Sequence, residues 1–565
     1  MFFLDNIKNK ITSKLEQEKL IFSYPPDSTW GDLSLICFES AKKLSKNPNE
    51  LANLWADQIK DDQELNNFFS EISVLGPYIN FTFKVEIMAR DIIGQINQEK
   101  GKYGLNNRGE SKNVMIEYSN GNTHKEYHVG HLRNISYGDA MARLFDANGF
   151  KSIRVSYIND FGIHVAKTIW NWKNNLTYSS QVEEKGFLLG KCYAEASQKL
   201  TDRPEYKLEV AKIMQEIESR QGDNFLLWKE TRNWSIDYFA SIYKELEIKF
   251  EKIFYESELI ADGLKMIESL LEKEILQKSQ GAIIANLEEF NLGVLPIIRS
   301  DGTALYPVAD LALAVNKFSL YDLIESVYVV DIRQSQYFKQ LFKVLDLLGY
   351  KQKLTHLPYE FVVLPEGMMS SRTGQVITYR ELKDKIKSRL EQETKNKRSD
   401  WDDEKITKTV NMLTTSVIKF EMLKVGADKT MVFNLEEALK FEGYTACYLE
   451  YSYVRLQSIL RKESSRFFAG KTDFTLLKEN KEKELLNKLA VYPEIIILAY
   501  DKKSPSEIAK YLFDLAKLSN DYYHQTNVLK SEKKLRQARL LLIKAASQVM
   551  QNGFKILGLP ILEEM

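Results

Sequence analysis

Three patterns in the sequence predict an α/β chain joined to an all-α one. Between about residues 110 and 170, strand-like apolar runs alternate with helical periodicity, the signature of a parallel, doubly wound sheet. After about residue 380 almost everything reads as amphipathic helix with few Gly or Pro, which points to a helical bundle. Before about residue 105 the periods are mixed, giving a small α+β unit. At 565 residues the chain is too long for one core, and length suggests roughly three to four domains. The expected division is an α+β domain over 1–105 and a sheet domain over 110–380 carrying a helical insertion at about 168–285. A helical connector over 381–430 and a bundle over 431–565 follow.

In the first segment helical periodicity covers 4–19 and 36–60. A strand-like Ile72–Leu75 leads through Gly76-Pro77 into Tyr78-Ile79-Asn80-Phe81-Thr82-Phe83. The loop Pro25-Pro26-Asp27-Ser28-Thr29-Trp30-Gly31-Asp32 reads locally as a connector. Gly101 to Ser111 is a polar boundary. Val114–Tyr118, a helix near 129–148 and Ile153–Ile158 form one βαβ unit. Charged helical patterns follow at Val182–Leu200 and Leu208–Ser241. Strand-like pieces return at Ala282–Asn286, Leu295–Arg299 and Ser326–Val330, then a helix over 337–348. The bundle helices are expected at 403–425, 436–463, 482–500, 506–525 and 533–556.

Composition narrows the function classes. Hydrophobic content of 44% with 12% aromatics supports filled cores, and Lys+Arg 78 balances Asp+Glu 78. A neutral chain is not a general polyanion binder, although a local basic face could hold a specific RNA. Cys37, Cys192 and Cys447 form no C-x-x-C pair, which suggests neither a zinc site nor a disulfide framework. Met1-Phe-Phe-Leu runs straight into charged residues, and no run reaches the roughly 18 apolar residues of a membrane span. A cytoplasmic protein with no membrane partner is expected.

The chemistry centres on Ile116-Glu117-Tyr118-Ser119-Asn120-Gly121-Asn122-Thr123-His124-Lys125-Glu126-Tyr127-His128-Val129-Gly130-His131-Leu132-Arg133. A strand ends near Ser119, a polar loop follows, and a helix opens near His128. Spacing i, i+3 puts His128 and His131 on one helix face. A helix N-terminus offers free N–H groups and partial positive charge, so it suits phosphate. Gly130 is expected to leave room for a base or sugar at the backbone. The bland alternative is a pair of capping or surface histidines. A metal site would need further ligands, and the sequence offers no obvious cluster.

This segment resembles the HIGH signature of class I aminoacyl-tRNA synthetases in the form that arginyl-tRNA synthetases carry. Glu117, Tyr118, Ser119, Asn122, Lys125, Tyr127, His128, Gly130, His131, Leu132 and Arg133 stand in register with that family pattern. The resemblance runs nearly the whole length and is weakest across the insertion. It implies a Rossmann-type class I catalytic domain, an N-terminal domain that contacts the outer corner of tRNA, and an anticodon-binding bundle. Asn159-Asp160-Phe161-Gly162 looks like the family's Asp-Trp-Gly strand end.

The resemblance also implies a site. His128 and His131 would be catalytic, with Gly130 beside them at ATP, and Lys125 would join them. Arg299 to Asp310 looks like the arginine-pocket stretch, where Tyr306 lines the pocket and Asp310 pairs with the guanidinium. A carboxylate matches the planar fork of a guanidinium, and four residues of helix would put both side chains on one face. Read alone, the stretch could equally be a helix cap with an exposed Asp. Glu117, Ser119, Asn122 and Gln334 complete the arginine-binding set, Ser119 and Asn122 at the α-amino and carboxylate end. Asp331 replaces a usual glycine, and Tyr337 a usual histidine.

Gly367-Met368-Met369-Ser370-Ser371-Arg372-Thr373-Gly374 resembles the KMSKS loop, which neutralises departing pyrophosphate. Met368 and Ser371 stand where its lysines would be, so Arg372 alone is cationic, with Met369 and Ser370 at ATP. The alternative is a Gly-Ser turn without a catalytic role. Phosphoryl chemistry rests on positioning and charge stabilisation, so cations must come from elsewhere. Lys125 is the natural substitute, with Mg²⁺ travelling with ATP. In the bundle, Glu442 to Arg455 resembles the anticodon-domain helix, with Glu450 in place of a usual glutamine. Tyr451, Tyr453 and Tyr523 could stack unpaired bases, with Arg455 beside them, while core packing is the alternative for each tyrosine. Arginine–tRNA ligation by a monomer acting on L-arginine, ATP and tRNA(Arg) is the resulting expectation. A tRNA-binding paralogue without activation, or a class I ligase for another amino acid, are the rivals.

Overall fold

Five parallel strands make the central sheet, in spatial order Lys252–Tyr255, Lys151–Ile158, Asn113–Glu117, Glu325–Asp331 and Lys353–Tyr359. Counted along the chain this is 3-2-1-4-5. The winding therefore reverses between Asn113–Glu117 and Glu325–Asp331, and ligands in such sheets lie beyond the strand ends at that reversal. Both of these strands are largely buried, as strands covered on two faces must be. The computed structural model describes residues 1–175, 185–364, 367–368, 377–463 and 472–565.

The helix Val129–Ala147 fills the first crossover and is buried on nearly every side. Gly138 faces the ring of Tyr118, where a Cβ would stand 2.2 Å from Cγ, so only glycine allows this contact. Arg133, from the signature, is buried too. It donates to the carbonyls of Val425 at 3.1 Å and Gly426 at 2.8 Å and to that of Met422. Its guanidinium satisfies orphan carbonyls at the end of helix Asp403–Leu423 and ties the catalytic sheet to the bundle.

Several expected elements differ in extent. The strand Lys252–Tyr255 belongs to the central sheet, so the helical excursion expected over 168–285 ends by Glu245. Its charged neighbours hid a strand whose partner lies about a hundred residues upstream. The stretch 36–60 holds a strand end and two helices, Phe38–Lys43 and Pro48–Lys60. Asn47 caps the second, accepting from the N–H groups of Asn49 and Glu50, with Pro48 in its first turn. The bundle stretch 436–463 opens with Leu435–Ala438 and resumes as Ala446–Arg461 after a turn at Gly443, whose φ is +79°. Pro493 divides 482–500 into Asn480–Ala490 and Tyr492–Asp501.

The loop ending at Gly31-Asp32 is more than a connector. Gly31 has φ +129° and lies against the Phe81 backbone. The buried Asp32 carboxylate accepts from Phe83 N–H at 2.8 Å and from Asn487 Nδ2 at 2.7 Å, and pairs with Lys483 at 2.9 Å. It clamps the N-terminal four-stranded antiparallel sheet onto bundle helix Asn480–Ala490. No helix among the described residues is long and apolar enough to cross a membrane.

Candidate active site

The site opens where the strand Asn113–Glu117 ends and Val129–Ala147 begins. His128 is the N-cap of that helix. Its Nδ1 accepts the Gly130 N–H at 3.1 Å, while His131 Nδ1 accepts the His128 N–H at 3.2 Å. Nδ1 is thus an acceptor in both rings, which assigns the proton to Nε2. Burial, then the nearby Lys125 ammonium, pushes His128 down to about 4; burial, then His128 and Lys125, holds His131 well below the ordinary histidine range. Both imidazoles are neutral near pH 7 and present Nε2–H donors. Gly130 serves this arrangement directly: a Cβ there would stand 2.9 Å from His128 Cε1, so the glycine makes room for the histidine ring.

Lys125 precedes the pair on the loop, and its ammonium lies 5.2 Å from the centre of the Tyr193 ring. The chain following the second signature loop returns to this point. Ile377 O accepts from Val129 N–H at 3.2 Å, and Tyr379 N–H donates to Tyr127 O at 2.7 Å. Met369, Ser370 and Arg372 lie outside the described residues.

Across the reversal of the sheet is a cavity of about 280 Å³, near the lower end of small-molecule sites. Glu117, Asn122, Tyr306, Asp310 and Gln334 line it together, brought from two strand ends and the first two turns of helix Tyr306–Leu320. The open pocket leaves Tyr306 65% exposed. Burial, followed by the nearby Glu117, pushes Asp310 up to about 7, although a hydrogen bond from Tyr337 opposes the shift. Lys317, two turns along the same helix, pairs instead with Glu117 in a fully buried contact. Glu117 therefore enters the site already neutralised, its other oxygen taking Asn120 Nδ2 at 3.0 Å.

Ser119 does not reach the cavity. It is buried with φ +60°, and its hydroxyl lies 3.0 Å from that of Tyr127 and 2.9 Å from that of Tyr243. Its backbone N–H is taken by Asn134 Oδ1, so Ser119 shapes the loop, and Asn120, unremarked in the sequence, lines the pocket instead. Asn159, Tyr157 and Tyr337 were missed as well. The only sequence signal for Tyr337 was its departure from a usual histidine. Glu256 flanks the group through a hydrogen bond from Asn159 Nδ2 at 3.1 Å, and burial pushes it up to about 7. Asp160, from the Asp-Trp-Gly-like stretch, is instead committed to Arg232 and Ser257. Among the described residues no group of three His, Cys, Asp or Glu side chains is placed to hold a metal ion.

The expected RNA contacts meet on the bundle. The Arg455 guanidinium lies 4.7 Å from the Tyr523 ring centre and its Nη1 is 3.0 Å from His524 Nε2. Tyr451 is one turn away on the same helix and 44% exposed. Tyr453 faces inward, buried with its hydroxyl accepting from Gln457 at 3.2 Å, so it belongs to the core.

Family models match along almost the whole chain. The class I (R) tRNA synthetase catalytic domain spans residues 92–435, the DALR anticodon-binding domain 449–565, and the arginyl-tRNA synthetase N-terminal domain 3–83. The chain is 35% identical to the arginine–tRNA ligase of Bdellovibrio bacteriovorus, with 96% of this chain and 93% of that protein covered. It is 32% identical to that of Halothermothrix orenii, covering 100% and 99%. Its fold matches the arginyl-tRNA synthetase of Thermus thermophilus with a TM-score of 0.83 and 25% identity over 100% and 99% of the two chains.

Proposed function

The chain belongs to the arginyl-tRNA synthetase family, and from that premise we propose that it ligates L-arginine to tRNA(Arg) through an arginyl-adenylate. The observation that carries the specificity is Asp310. It is a carboxyl in the pocket wall whose helix neighbour Lys317 is committed to Glu117, and burial drives it toward protonation. A guanidinium supplies the missing cation, and its planar fork can meet the carboxylate through two hydrogen bonds. Tyr306 and Gln334 border the same cavity, and Asn122 stands at its mouth beside the signature loop, suited to the α-amino and carboxylate end.

The arginine carboxylate attacks the α-phosphate of ATP, forming a C–O–P link and releasing pyrophosphate. His128 and His131, neutral with Nε2–H outward, donate to triphosphate oxygens at the helix N-terminus, which itself favours anions. Lys125 and, by the family resemblance, Arg372 neutralise the departing pyrophosphate, and Mg²⁺ bound to ATP would supply further positive charge. The 2′-hydroxyl of the terminal adenosine of tRNA then attacks the arginyl carbonyl, and AMP leaves. Tyr451, Arg455 and Tyr523 form a stacking and phosphate-binding surface for the anticodon loop. The protein is taken to act as a cytoplasmic monomer, and the four-domain division given above is retained with a shorter insertion.

Pyrophosphate exchange with tRNA(Arg) present, scanned over the amino acids, tests the reading. Exchange is expected with arginine. No exchange with any amino acid would leave a tRNA-binding protein, and exchange with another amino acid would overturn the specificity.

A further inference from the structure

The arginine pocket carries a departure that the family resemblance does not account for. Tyr337, from helix Ser335–Leu347, stands where a histidine is usual. Its hydroxyl donates a hydrogen bond to Asp310 Oδ2, and both residues line the same cavity. Its ring is held against Phe338, 5.5 Å between centres, on a helix anchored over the strand Glu325–Asp331, so the hydroxyl has a fixed origin. The bond engages Oδ2 of the carboxylate from the side of helix Ser335–Leu347.

We propose that Tyr337 is a positioning residue for arginine: its hydroxyl fixes the carboxylate of Asp310 in the orientation that receives the guanidinium. The proposal rests on the arginine reading of the pocket. An unanchored aspartate on the second turn of a helix would have to be ordered at each binding event, and that ordering subtracts from affinity. A donated hydrogen bond also favours the ionised carboxyl, the form that pairs with a cation. The groups around Asp310 are Glu117 from the first strand, Tyr157 from the second, and Tyr328 from the fourth. Glu256 comes from helix Glu256–Glu272, Lys317 from Asp310's own helix, and Tyr306 from its first turn. Of these the only cation is Lys317, and Glu117 engages it. Tyr337 is therefore the foremost of the groups that oppose the negative surroundings, ahead of Lys317 and Tyr157.

The test is tRNA-dependent pyrophosphate exchange on the full chain, parent against Tyr337→Phe and Tyr337→His. Removing one hydrogen bond to a charged group predicts a rise of about tenfold in KM for arginine at pH 7 for the phenylalanine variant. Its kcat and its KM for ATP should stay within about twofold of the parent, because nothing at the phosphate end changes. The defect should shrink above pH 8, where Asp310 ionises without help. Tyr337→His, which restores a donor, should recover most of the loss. An unchanged KM for arginine, or a matched loss in kcat and in KM for ATP, would overturn the role of Tyr337. If the histidine variant were as weak as the phenylalanine variant, the bond would not be the cause. Absence of arginine-dependent exchange in the parent would instead remove the arginine reading itself, a distinguishable result.

Discussion

The two ends of the crevice solve opposite charge problems with buried groups. At the amino-acid end, Asp310 and Glu256 are carboxyls that burial pushes up to about 7, so without a cation they are partly protonated. At the phosphate end, burial and Lys125 drive His128 down to about 4 and His131 further, so the imidazoles carry no charge. At one end the cation Lys317 is committed to Glu117 until the substrate brings another. The other offers neutral donors and, among the described residues, leaves its formal charge to Lys125. The difference separates two kinds of recognition. The carboxyl end selects by ion pairing, which is steeply sensitive to protonation, whereas the phosphate end holds an anion by neutral imidazole N–H donors that do not change charge near pH 7, the first backbone N–H groups of the helix being taken by Ile377 O, His128 Nδ1 and His128 O.

The comparison breaks first at Asp310. Asp310→Asn keeps the shape and removes the charge, leaving a guanidinium without its counter-ion. Losing one partner of a buried charge pair predicts a fall of about a thousandfold in kcat/KM for arginine, with KM for ATP little changed. A loss spread equally over both substrates would show that the two ends are not separate.

The pH dependence sharpens it next. The folded pKa of Asp310 is raised, so the ionised, binding-competent form of the free enzyme grows as pH rises through about 7. kcat/KM for arginine should therefore climb by up to about tenfold per unit below pH 7 and level off above it. kcat should not follow, because bound arginine keeps the carboxylate ionised. His128→Asn should lower the rate by about a hundredfold, the scale for one oxyanion donor, without moving that midpoint. A midpoint that moved with His128 would place the titration at the wrong end.

A smaller effect belongs to the bundle. Tyr451→Ala, removing one exposed ring, should weaken tRNA binding by about 1–3 kcal/mol while leaving KM for arginine alone. Filter binding of tRNA(Arg) would measure it.

The smallest lies far from the crevice. Glu450 is fully buried, accepts from Ser416 at 2.8 Å, and burial pushes it up to about 8, so it is mostly protonated at neutral pH. A protonated carboxyl is a close mimic of the glutamine usual there. An acid raised on folding binds a proton in the native state, so its contribution is complete below the ordinary carboxyl range and is lost as pH rises toward 8. Glu450→Gln should therefore lie nearest the parent at and below pH 5 and exceed it increasingly up to pH 8 in thermal unfolding. Equal stabilities at pH 8 would mean the side chain is already relieved of its burial cost.

Much of this was legible in the sequence because it is local. The βαβ unit and the face shared by Tyr306 and Asp310 follow from the periodicity of neighbouring residues, whereas the capping role of His128 and His131 was only the bland alternative in the sequence. What was not legible depends on distant partners. Lys252–Tyr255 is a sheet strand only because Lys151–Ile158 lies beside it. Ser119 is lost to the pocket because Tyr127 and Tyr243 claim its hydroxyl, and Tyr243 is over a hundred residues away. Glu117, expected at the arginine, is paired with Lys317 two hundred residues on. Asp32 sat in a loop that read as a connector, and Lys483 and Asn487 made it a clamp. Composition cannot reveal such pairings, since each residue alone has a bland alternative.

The central claim is that formal positive charge at the phosphate end comes from the signature loop itself. Pyrophosphate exchange by Lys125→Ala, with tRNA affinity measured on the same preparation, tests it most directly. Exchange should fall by about a hundredfold or more while tRNA binding stays within about twofold, since the bundle is untouched. Near-normal exchange in that variant would contradict the account and assign the missing charge elsewhere.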